Sequence, residues 1–309
     1  MIKFLRHSEI DKLKWDSCIK TAFNGNLYAW SWYLDIVHPE WNALIENNYE
    51  RVFPLTGKSK FGLSYLFQPF FAQQLGVFSN SILNPNIIAA FLDAIPPNYR
   101  FAEIRLNTHN KLEESAAGLS WHRNHELDLI NSYQKLYKNY SANTKRNLKK
   151  AAQHELQLAK NVRPEEVIQL FRENRGRTIS HWNDLEYNRL KHLTYTGIYR
   201  GQASVYGVYS KPNELCAGAI FMRSHGKLVF LFSGANQYAK EIHALSFLID
   251  QVIQAHCPGN LVFDFEGSDQ AGLARYYKGF GSKETYYPGI KINRLPFLGR
   301  IALRVVKRK

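Results

Sequence analysis

The chain has 309 residues, 45% of them hydrophobic, and a formal net charge of +14 at pH 7. This hydrophobic share, with 19 Phe, 18 Tyr and 6 Trp, excludes an intrinsically disordered chain and predicts a globular protein whose length favours two domains. The best apolar windows, such as 87–95, are far shorter than the ~20 residues that span a bilayer. The start lacks the apolar core of a secretory signal, so the expected location is the cytoplasm. The positive charge predicts an anionic partner such as RNA, a pyrophosphate or a membrane surface.

The spacing of cysteine and histidine argues against several kinds of site. Cys18, Cys216 and Cys257 are odd in number and widely spaced, which fits neither a disulfide framework nor a CxxC metal site. His122 and His125 lack further ligands at metal-site spacing, so we assign no metal. The sequence has no GxSxG, Walker A, GxGxxG or HExxH motif, which argues against serine hydrolases, P-loop and Rossmann enzymes, and zinc proteases.

The first part of the chain predicts helix, hairpin, helix and strand in that order. These elements are a largely helical stretch at 10–41, strands at 51–56 and 63–67 around a turn at 57–60, a helix at 86–95 and a strand at 100–106. A polar stretch follows, and we place the domain boundary after it, so that the N-terminal domain is 1–125.

The second part predicts two helices and then the succession strand-strand-strand-helix-strand-helix-strand. The helices are at 136–160, 164–175, 244–256 and 270–278, and the strands are at 203–209, 215–223, 227–233, 261–266 and 283–293. The first three strands, joined by short turns, predict an antiparallel meander. The succession is that of the GNAT N-acyltransferase fold, and the first part repeats a shorter version of it. We therefore predict an α/β (α+β) protein with two tandem GNAT-like domains, 1–125 and 126–293, whose mixed, largely antiparallel sheets are flanked by helices.

An acidic pair marks the end of the predicted strand at 261–266. Asp264 and Glu266 are two residues apart, so on a strand their carboxylates would lie on one face, about 7 Å apart. A carboxylate in a partly apolar site can accept the proton that an amine loses when it attacks an acyl ester, which makes both residues catalytic candidates. Alternatively, Asp264 binds loop amides while Ser268 or Asp269 caps the next helix.

The segment 141–150 predicts a cationic helix start. With Ser141 as the N-cap, Lys145 and Lys149 stack at i and i+4 near the positive end of the helix. Cations there repel one another, and a bound phosphate would relieve the repulsion and use the free amides. The residues of this segment assigned to substrate binding are Asn143, Lys145, Arg146 and Lys149. Alternatively, the segment is a solvated basic face.

Three segments resemble the Fem-type peptidyltransferases. They are Tyr-Ser-x-x-x-Lys-Arg-Asn-Leu-Lys-Lys-Ala at 140–151, Asp-Phe-Glu-Gly at 264–267 and Gly-Leu-x-x-Tyr-Tyr-Lys-x-Phe-Gly at 272–281. Fem-type proteins have two GNAT-like domains and move an amino acid from aminoacyl-tRNA to the peptide of a cell-wall lipid precursor. The resemblance is best over 130–293. It implies that Lys278 stabilises the developing oxyanion, that Tyr276 beside it contacts substrate, and that the cations of 141–150 face an anionic substrate or donor.

The segment before the helix at 244–256 bears on the donor. Acyl-CoA-dependent GNAT enzymes hold the pyrophosphate there, on the amides of a Gln/Arg-x-x-Gly-x-Gly/Ala loop. This chain has Ser-Gly-Ala-Asn-Gln-Tyr at 233–238, with a single glycine, so CoA binding in the usual way is disfavoured. We predict no permanently bound cofactor and aminoacyl-tRNA as the donor, with acyl-CoA as the alternative. Ser233 is assigned to substrate binding.

Two further segments are candidates for contact with the acceptor. Gln68 and Gln73, with Trp32, would line an acceptor groove in the first domain, although such residues also satisfy loops and fill cores. A basic amphipathic tail at 294–309 would lie on an anionic membrane surface, where each cation contributes about 1 kcal/mol. Alternatively, the tail packs on the body of the protein with a frayed end.

The sequence therefore predicts an N-acyltransferase that adds an amino acid or acyl group to an amine of a cell-envelope precursor. Its partners would be an aminoacyl-tRNA or acyl-CoA donor and a lipid-linked or peptide amine acceptor, and it would contact the inner face of the anionic membrane peripherally. Two alternatives stay open. One is an acyl-CoA-dependent GNAT enzyme of envelope or polysaccharide biosynthesis, and the other is a non-catalytic module that binds RNA or anionic lipid.

Overall fold

The computed structural model describes residues 1–60, 62–179, 182–210, 213–267 and 269–296. Over these residues the chain forms two compact units, Met1–His122 with the chain from Tyr286, and Arg123–Thr285. The predicted fold class, α/β with mixed, mostly antiparallel sheets and flanking helices, is confirmed. The predicted domain limits at 125 and 293 stay predictions. None of the helices in these ranges is long and apolar enough to cross a membrane.

The first unit carries two groups of strands and three α-helices. Its elements are β1 (Ile2–Leu5), α1 (Lys12–Thr21), α2 (Ser31–Val37), β2 (Asn42–Glu46), β3 (Arg51–Leu55), β4 (Gly57–Lys60), β5 (Leu63–Phe67), β6 (Phe78–Ser79), α3 (Pro85–Asp93) and β7 (Tyr99–Arg105). Strands β1, β2, β3 and β6 form an antiparallel sheet in that order. Strands β4, β5 and β7 are neighbours in a second sheet, in which β5 and β7 are parallel.

The predicted pairing of strands in the hairpin of this unit is wrong. The strand at 51–56 was expected to pair with 63–67 around a turn, but the turn residues are strand β4, which pairs with β5. Strand β3 pairs instead with β2 and β6. The chain changes sheet at Thr56, whose Oγ1 donates to the carbonyl of Phe67 at 2.6 Å. The backbone at Gly57 then lies close to the Tyr99 ring, so that a Cβ at this position would be 2.6 Å from Cε1 of that ring.

The remaining elements, most of them in the second unit, follow the predicted succession. They are β8 (Leu119–Asp128), α4 (Tyr133–Lys138), α5 (Ala142–Ala151), β9 (Gln157–Lys160), α6 (Pro164–Glu173), α7 (Asp184–Tyr199), β10 (Ala203–Ser210), β11 (Glu214–Ser224), β12 (Lys227–Ala235), α8 (Gln237–Glu241), α9 (Ala244–His256), β13 (Val262–Asp264), α10 (Ala271–Lys278) and β14 (Lys283–Asn293). Strands β8, β13, β12, β11, β10 and β9 are neighbours in that order. The predicted meander of β10, β11 and β12 is confirmed, and β12 and β13 are parallel.

The single helix predicted over 136–160 is wrong. The chain breaks at Ser141, which is extended and caps α5 by accepting a hydrogen bond from the amide of Thr144 at 3.1 Å. The amide of Ser141 donates to the carbonyl of Gly279 at 2.9 Å, so a contact distant in sequence fixes the break. The end of the predicted helix is strand β9, which pairs with β10.

Gly234 lies where β12 passes closest to α6. A Cβ at Gly234 would lie 2.3 Å from the carbonyl oxygen of Val167 and 2.7 Å from the amide nitrogen of Phe171. Because both atoms are helix backbone, we expect Gly234→Ala to lower the free energy of unfolding in urea by about 1 to 3 kcal/mol. Gly272→Ala is the control, since its Cβ meets nothing within 4 Å. Equal stability of the two variants would contradict this packing.

Candidate active site

Asp264, at the end of β13, is saturated by hydrogen bonds. The residue is 3% exposed, and its carboxylate accepts from Lys227 Nζ at 3.1 Å and from Asn124 Nδ2 at 2.8 Å. A third donor is the amide of Glu266, at 3.0 Å. Lys227 also binds the carboxylate of Glu126, at 2.5 Å. An ammonium and two other donors give the Asp264 carboxylate a structural role, so Asp264 fits the structural alternative that the sequence left open.

Glu266 does not share a face with Asp264 as predicted. Strand β13 ends at Asp264, and Glu266 has a φ of +56°, so the alternation of side chains on a strand no longer applies. Burial is the main reason why the pKa of Tyr277 is raised, and the negative charge of Glu266 adds to the effect. Glu266 therefore lies near α10, which carries Tyr277. Ser268, considered from sequence as a cap of this helix, lies outside the described residues.

Tyr277 packs against the residues that follow the paired parts of two strands. Strands β12 and β13 pair only over Lys227–Val229 and Val262–Asp264. Beyond this pairing the Tyr277 ring packs against Phe265, with ring centroids 4.9 Å apart, and against Phe230, at 6.4 Å. The next residue, Lys278, ends α10 and is exposed. The packing of Tyr277 thus fixes the position of the backbone at Lys278.

Tyr276, assigned from sequence to substrate binding, links two helices. Its Oη lies 3.0 Å from Oγ of Ser246 in the first turn of α9. Burial raises the pKa of Tyr276 to about 12, against a smaller opposing effect of the Ser246 hydrogen bond. The phenol is therefore neutral at pH 7 and ties α10 to α9.

The end of α10 lies against the start of α5. The amide of Ser141 donates to the carbonyl of Gly279, and a Cβ at Gly279 would lie 2.4 Å from Oγ1 of Thr144. Lys278 precedes Gly279, and Lys145 follows Thr144. Two of the segments that carry the resemblance, 140–151 and 272–281, are thus in contact in the fold.

Lys145 has a partner of its own at this contact. Its Nζ donates to the carbonyl of Lys138 at 2.9 Å and lies 5.4 Å from the centroid of the Tyr137 ring. Lys145 therefore neutralises the last turn of α4, where a cation is favourable. Binding of an anion by Lys145 would compete with these contacts.

The other basic residues of α5 differ in position. Arg146 donates to the side-chain oxygen of Asn143 at 2.8 Å, so these two candidates hold each other on the exposed surface. Lys149 is exposed in the last turn of the ten-residue helix. The prediction that Lys149 lies near the positive end of the helix is therefore wrong, because Lys149 lies about two turns after the start of α5.

A group of basic residues at the start of α9 was not expected from the sequence. His243 adopts a left-handed conformation at the N-cap of α9, with a φ of +58°. Burial is the main cause of its lowered pKa, and the charges of Lys150 and His154 lower it further. His243 is distant in sequence from Lys150 and His154, so no local pattern marks the group.

The approach of Glu284 to His125 was also not expected from the sequence. His125 is 0% exposed, and its Nε2 lies 4.0 Å from Oε2 of Glu284. Burial lowers the pKa of His125, Glu284 opposes this, and the positive charges of Arg123 and Lys278 reinforce it. The imidazole is therefore neutral at pH 7, between a carboxylate and two cations. His125 had been considered only as a metal ligand.

Ser233, the last residue of the strand predicted at 227–233, lies within a strand that continues beyond it. Strand β12 extends to Ala235, and Ser233 pairs with Ala219 of β11. The only glycine of this segment, Gly234, is the one that packs against α6. Residues 233–235 are therefore strand, and α8 begins at Gln237.

The candidates of the first unit have internal partners. Gln68 donates to the carbonyl of Ala72 at 2.6 Å and accepts from the amide of Arg105 at 3.0 Å. Gln73 and Trp32 are each 7% exposed. These contacts fit the alternative in which the residues support loops and core.

Only the first residues of the predicted tail are described. Arg294 donates its amide to the carbonyl of Arg100 at 2.8 Å, and Leu295 is 6% exposed. This beginning packs on the first unit, and residues 297–309 lie outside the described part of the chain.

Comparison with known proteins gives a fold but no close relative. No protein-family model matches the chain, and no curated protein sequence matches it. Among solved structures, FemX is similar over 97% of this chain and 99% of its own, with a TM-score of 0.63 and 11% identity. The L-PGS of Bacillus licheniformis is similar over 96% of both chains, with a TM-score of 0.55 and 13% identity. A tandem GNAT protein from the clavulanic acid biosynthesis pathway is similar over 96% of this chain and 99% of its own, with a TM-score of 0.53 and 11% identity.

The likeness extends over nearly the whole length of each chain, so it concerns both units and not one domain alone. It agrees with the order of strands and helices predicted from the sequence. The chain therefore has a Fem-type, tandem GNAT-like acyltransferase fold.

Proposed function

We propose that the chain is an N-acyltransferase that moves an aminoacyl group from aminoacyl-tRNA to an amine of a cell-envelope precursor. The observation that carries the proposal is the contact between the end of α10, at Gly279, and the start of α5, at Ser141. It brings the segment that ends with Lys278 next to the start of α5, which carries Lys145 and Arg146. This contact supports a site in which an anionic donor binds at the start of α5 and its ester carbonyl reacts beside Lys278.

Lys278 supplies the electrostatic part of the chemistry. When an amine attacks an ester, negative charge develops on the carbonyl oxygen, and a fixed cation beside that oxygen lowers the barrier. Lys278 is exposed at the end of a helix whose last turn is held by the buried Tyr277. The packing of Tyr277 thus fixes the backbone from which the Lys278 side chain extends.

The choice of an aminoacyl-tRNA donor has two supports. FemX and L-PGS share the fold, and a third similar structure, with a TM-score of 0.52 and 12% identity, is a domain of a putative lysylphosphatidylglycerol synthetase from Agrobacterium fabrum. In addition, residues 233–235 are strand, so they do not form a glycine-rich loop that would hold the pyrophosphate of CoA.

The test is a transfer assay with the full chain. Total tRNA charged with labelled amino acids is offered with a lysine-containing pentapeptide, free or lipid-linked, and products are identified by mass spectrometry. We expect a new amide on the peptide amine, sensitive to ribonuclease treatment of the donor. Transfer from acetyl-CoA or longer acyl-CoAs but not from charged tRNA would support the acyl-CoA alternative. No transfer from any donor would contradict the proposal.

A further inference from the structure

We propose that Tyr276 is a positioning residue for the acyl transfer, and that it acts by tying the last turn of α10 to Ser246 in α9. Tyr276 lies two residues before Lys278, the residue that stabilises the oxyanion in the proposed chemistry. Such a role deepens the proposed function and rests on it. It differs from the contact with substrate that the sequence gave to Tyr276.

The bond between Tyr276 and Ser246 is a side-chain contact between two helices. Oη of Tyr276 lies 3.0 Å from Oγ of Ser246, and either hydroxyl can donate. Ser246 lies in the first turn of α9 and is only 4% exposed. A buried hydroxyl that loses its hydrogen bond costs free energy, so this bond favours a single arrangement of α10 against α9.

The ring of Tyr276 extends this tie towards α5. Its centroid lies 5.4 Å from that of Phe280, and the Phe280 centroid lies 5.5 Å from that of Tyr140. The rings of each pair are close to perpendicular, an arrangement that aromatic side chains prefer. Tyr140 directly precedes Ser141, which caps α5. Tyr276 therefore lies in a line of contacts that runs from the first turn of α9 to the start of α5.

Lys278 lies between the two packed aromatic residues in the chain. Tyr276 precedes it by two positions, and Phe280, which is 0% exposed, follows it by two. Helix α10 has only eight residues, and a helix of this length is marginal without tertiary contacts. The contacts of its neighbours thus decide where the backbone of Lys278 lies.

A role in positioning predicts an effect on rate and not on binding. Oη of Tyr276 is engaged with a buried partner, so the hydroxyl acts within the protein. Loss of the bond lets the last turn of α10 shift, and the ammonium of Lys278 then lies farther from the oxygen that takes negative charge. A misplacement of about 1 Å can lower a rate by as much as about 10²-fold.

The first part of the test removes the bond without changing the backbone. Tyr276→Phe and Ser246→Ala each delete one hydroxyl, and the double variant deletes both. With the donor and peptide that wild type uses, each single variant should lower kcat roughly 10-fold at an unchanged KM. The double variant should lower kcat no further, because the same bond is lost.

Tyr195→Phe is the matched control for Tyr276→Phe. It also deletes one phenolic hydroxyl with one hydrogen bond, from Oη of Tyr195 to Oε2 of Glu165 at 2.8 Å, but on the exposed surface of α7. Its kcat and KM should equal those of wild type.

The second part follows the position of Lys278 and needs no turnover. Burial is the main cause of the lowered pKa of His125, Glu284 opposes it, and the positive charges of Arg123 and Lys278 lower it further. NMR of the imidazole groups in the full chain gives the titration of His125, whose signal is assigned by its absence from His125→Asn. Lys278→Gln should raise this pKa, and Tyr276→Phe should raise it by a smaller amount because the ammonium moves away. A loss of stability alone would not shift the titration.

Three results would overturn the inference and leave the proposed function intact. They are a normal kcat in Tyr276→Phe and Ser246→Ala, a higher KM with an unchanged kcat, and no rise in the pKa of His125 in Tyr276→Phe. The second of these would return Tyr276 to substrate binding. A wild type that transfers nothing from any donor would overturn both the inference and the proposed function.

Discussion

Replacing Lys227 with methionine is expected to lower the free energy of unfolding by about 2 to 4 kcal/mol. The ammonium binds Asp264 at 3.1 Å and Glu126 at 2.5 Å, and their side chains are only 4% and 21% exposed. Burial alone would lower the pKa of Lys227, but these two carboxylates outweigh burial and raise it. Without the cation, two largely buried negative charges would face each other. The 32% exposure of Lys227 keeps the effect below that of a fully buried pair.

Urea unfolding of the full chain at pH 7 measures this effect. Lys160→Met is the control, because Lys160 is an exposed residue at the end of the edge strand β9. Its Nζ lies 5.9 Å from the centroid of the Tyr206 ring. The control should lose less than about 1 kcal/mol, in the range of exposed charged contacts. If Lys227→Met is as stable as this control, the contacts of Lys227 with Asp264 and Glu126 do not stabilise the fold.

Lys278→Ala is expected to lower kcat of acyl transfer by roughly 10²- to 10³-fold, the cost of removing one group that stabilises an oxyanion. The substitution removes an exposed side chain at the last position of α10, so the free energy of unfolding should change little. A loss of kcat without a loss of stability would show that the charge acts on the reaction.

Lys20→Ala is the matched control for Lys278→Ala, because Lys20 is also an exposed lysine in the last turn of a helix. Its kcat should equal that of wild type. Equal activity of Lys278→Ala and Lys20→Ala would contradict the role of Lys278. An increase in KM with an unchanged kcat would assign Lys278 to substrate binding and not to stabilisation of the oxyanion.

The fold was predictable wherever a local pattern sets the structure. The helix at 244–256 has the predicted bounds, since its apolar residues recur at helical spacing and a proline follows. The strands of the meander were also found, because short turns separate them. The break at Ser141 and the pairing of β4 with β5 depend on partners distant in sequence, so local patterns misled there.

The candidate site was predictable only in part, for the same reason. Lys278 and the helix start at Ser141 belong to sequence motifs, and the fold brings their segments together. The approach of Glu284 to His125 joins β8 to β14 across 159 residues, and no motif marks it. Asp264 was misjudged because its partner Lys227 is 37 positions away in the sequence.

The most direct measurement is a crystal structure of the full chain with a non-hydrolysable, amide-linked aminoacyl adenosine, which mimics the donor end. We expect the carbonyl oxygen of the mimic to lie about 3 Å from Nζ of Lys278. A mimic bound out of reach of Lys278 would contradict the proposed role of this residue.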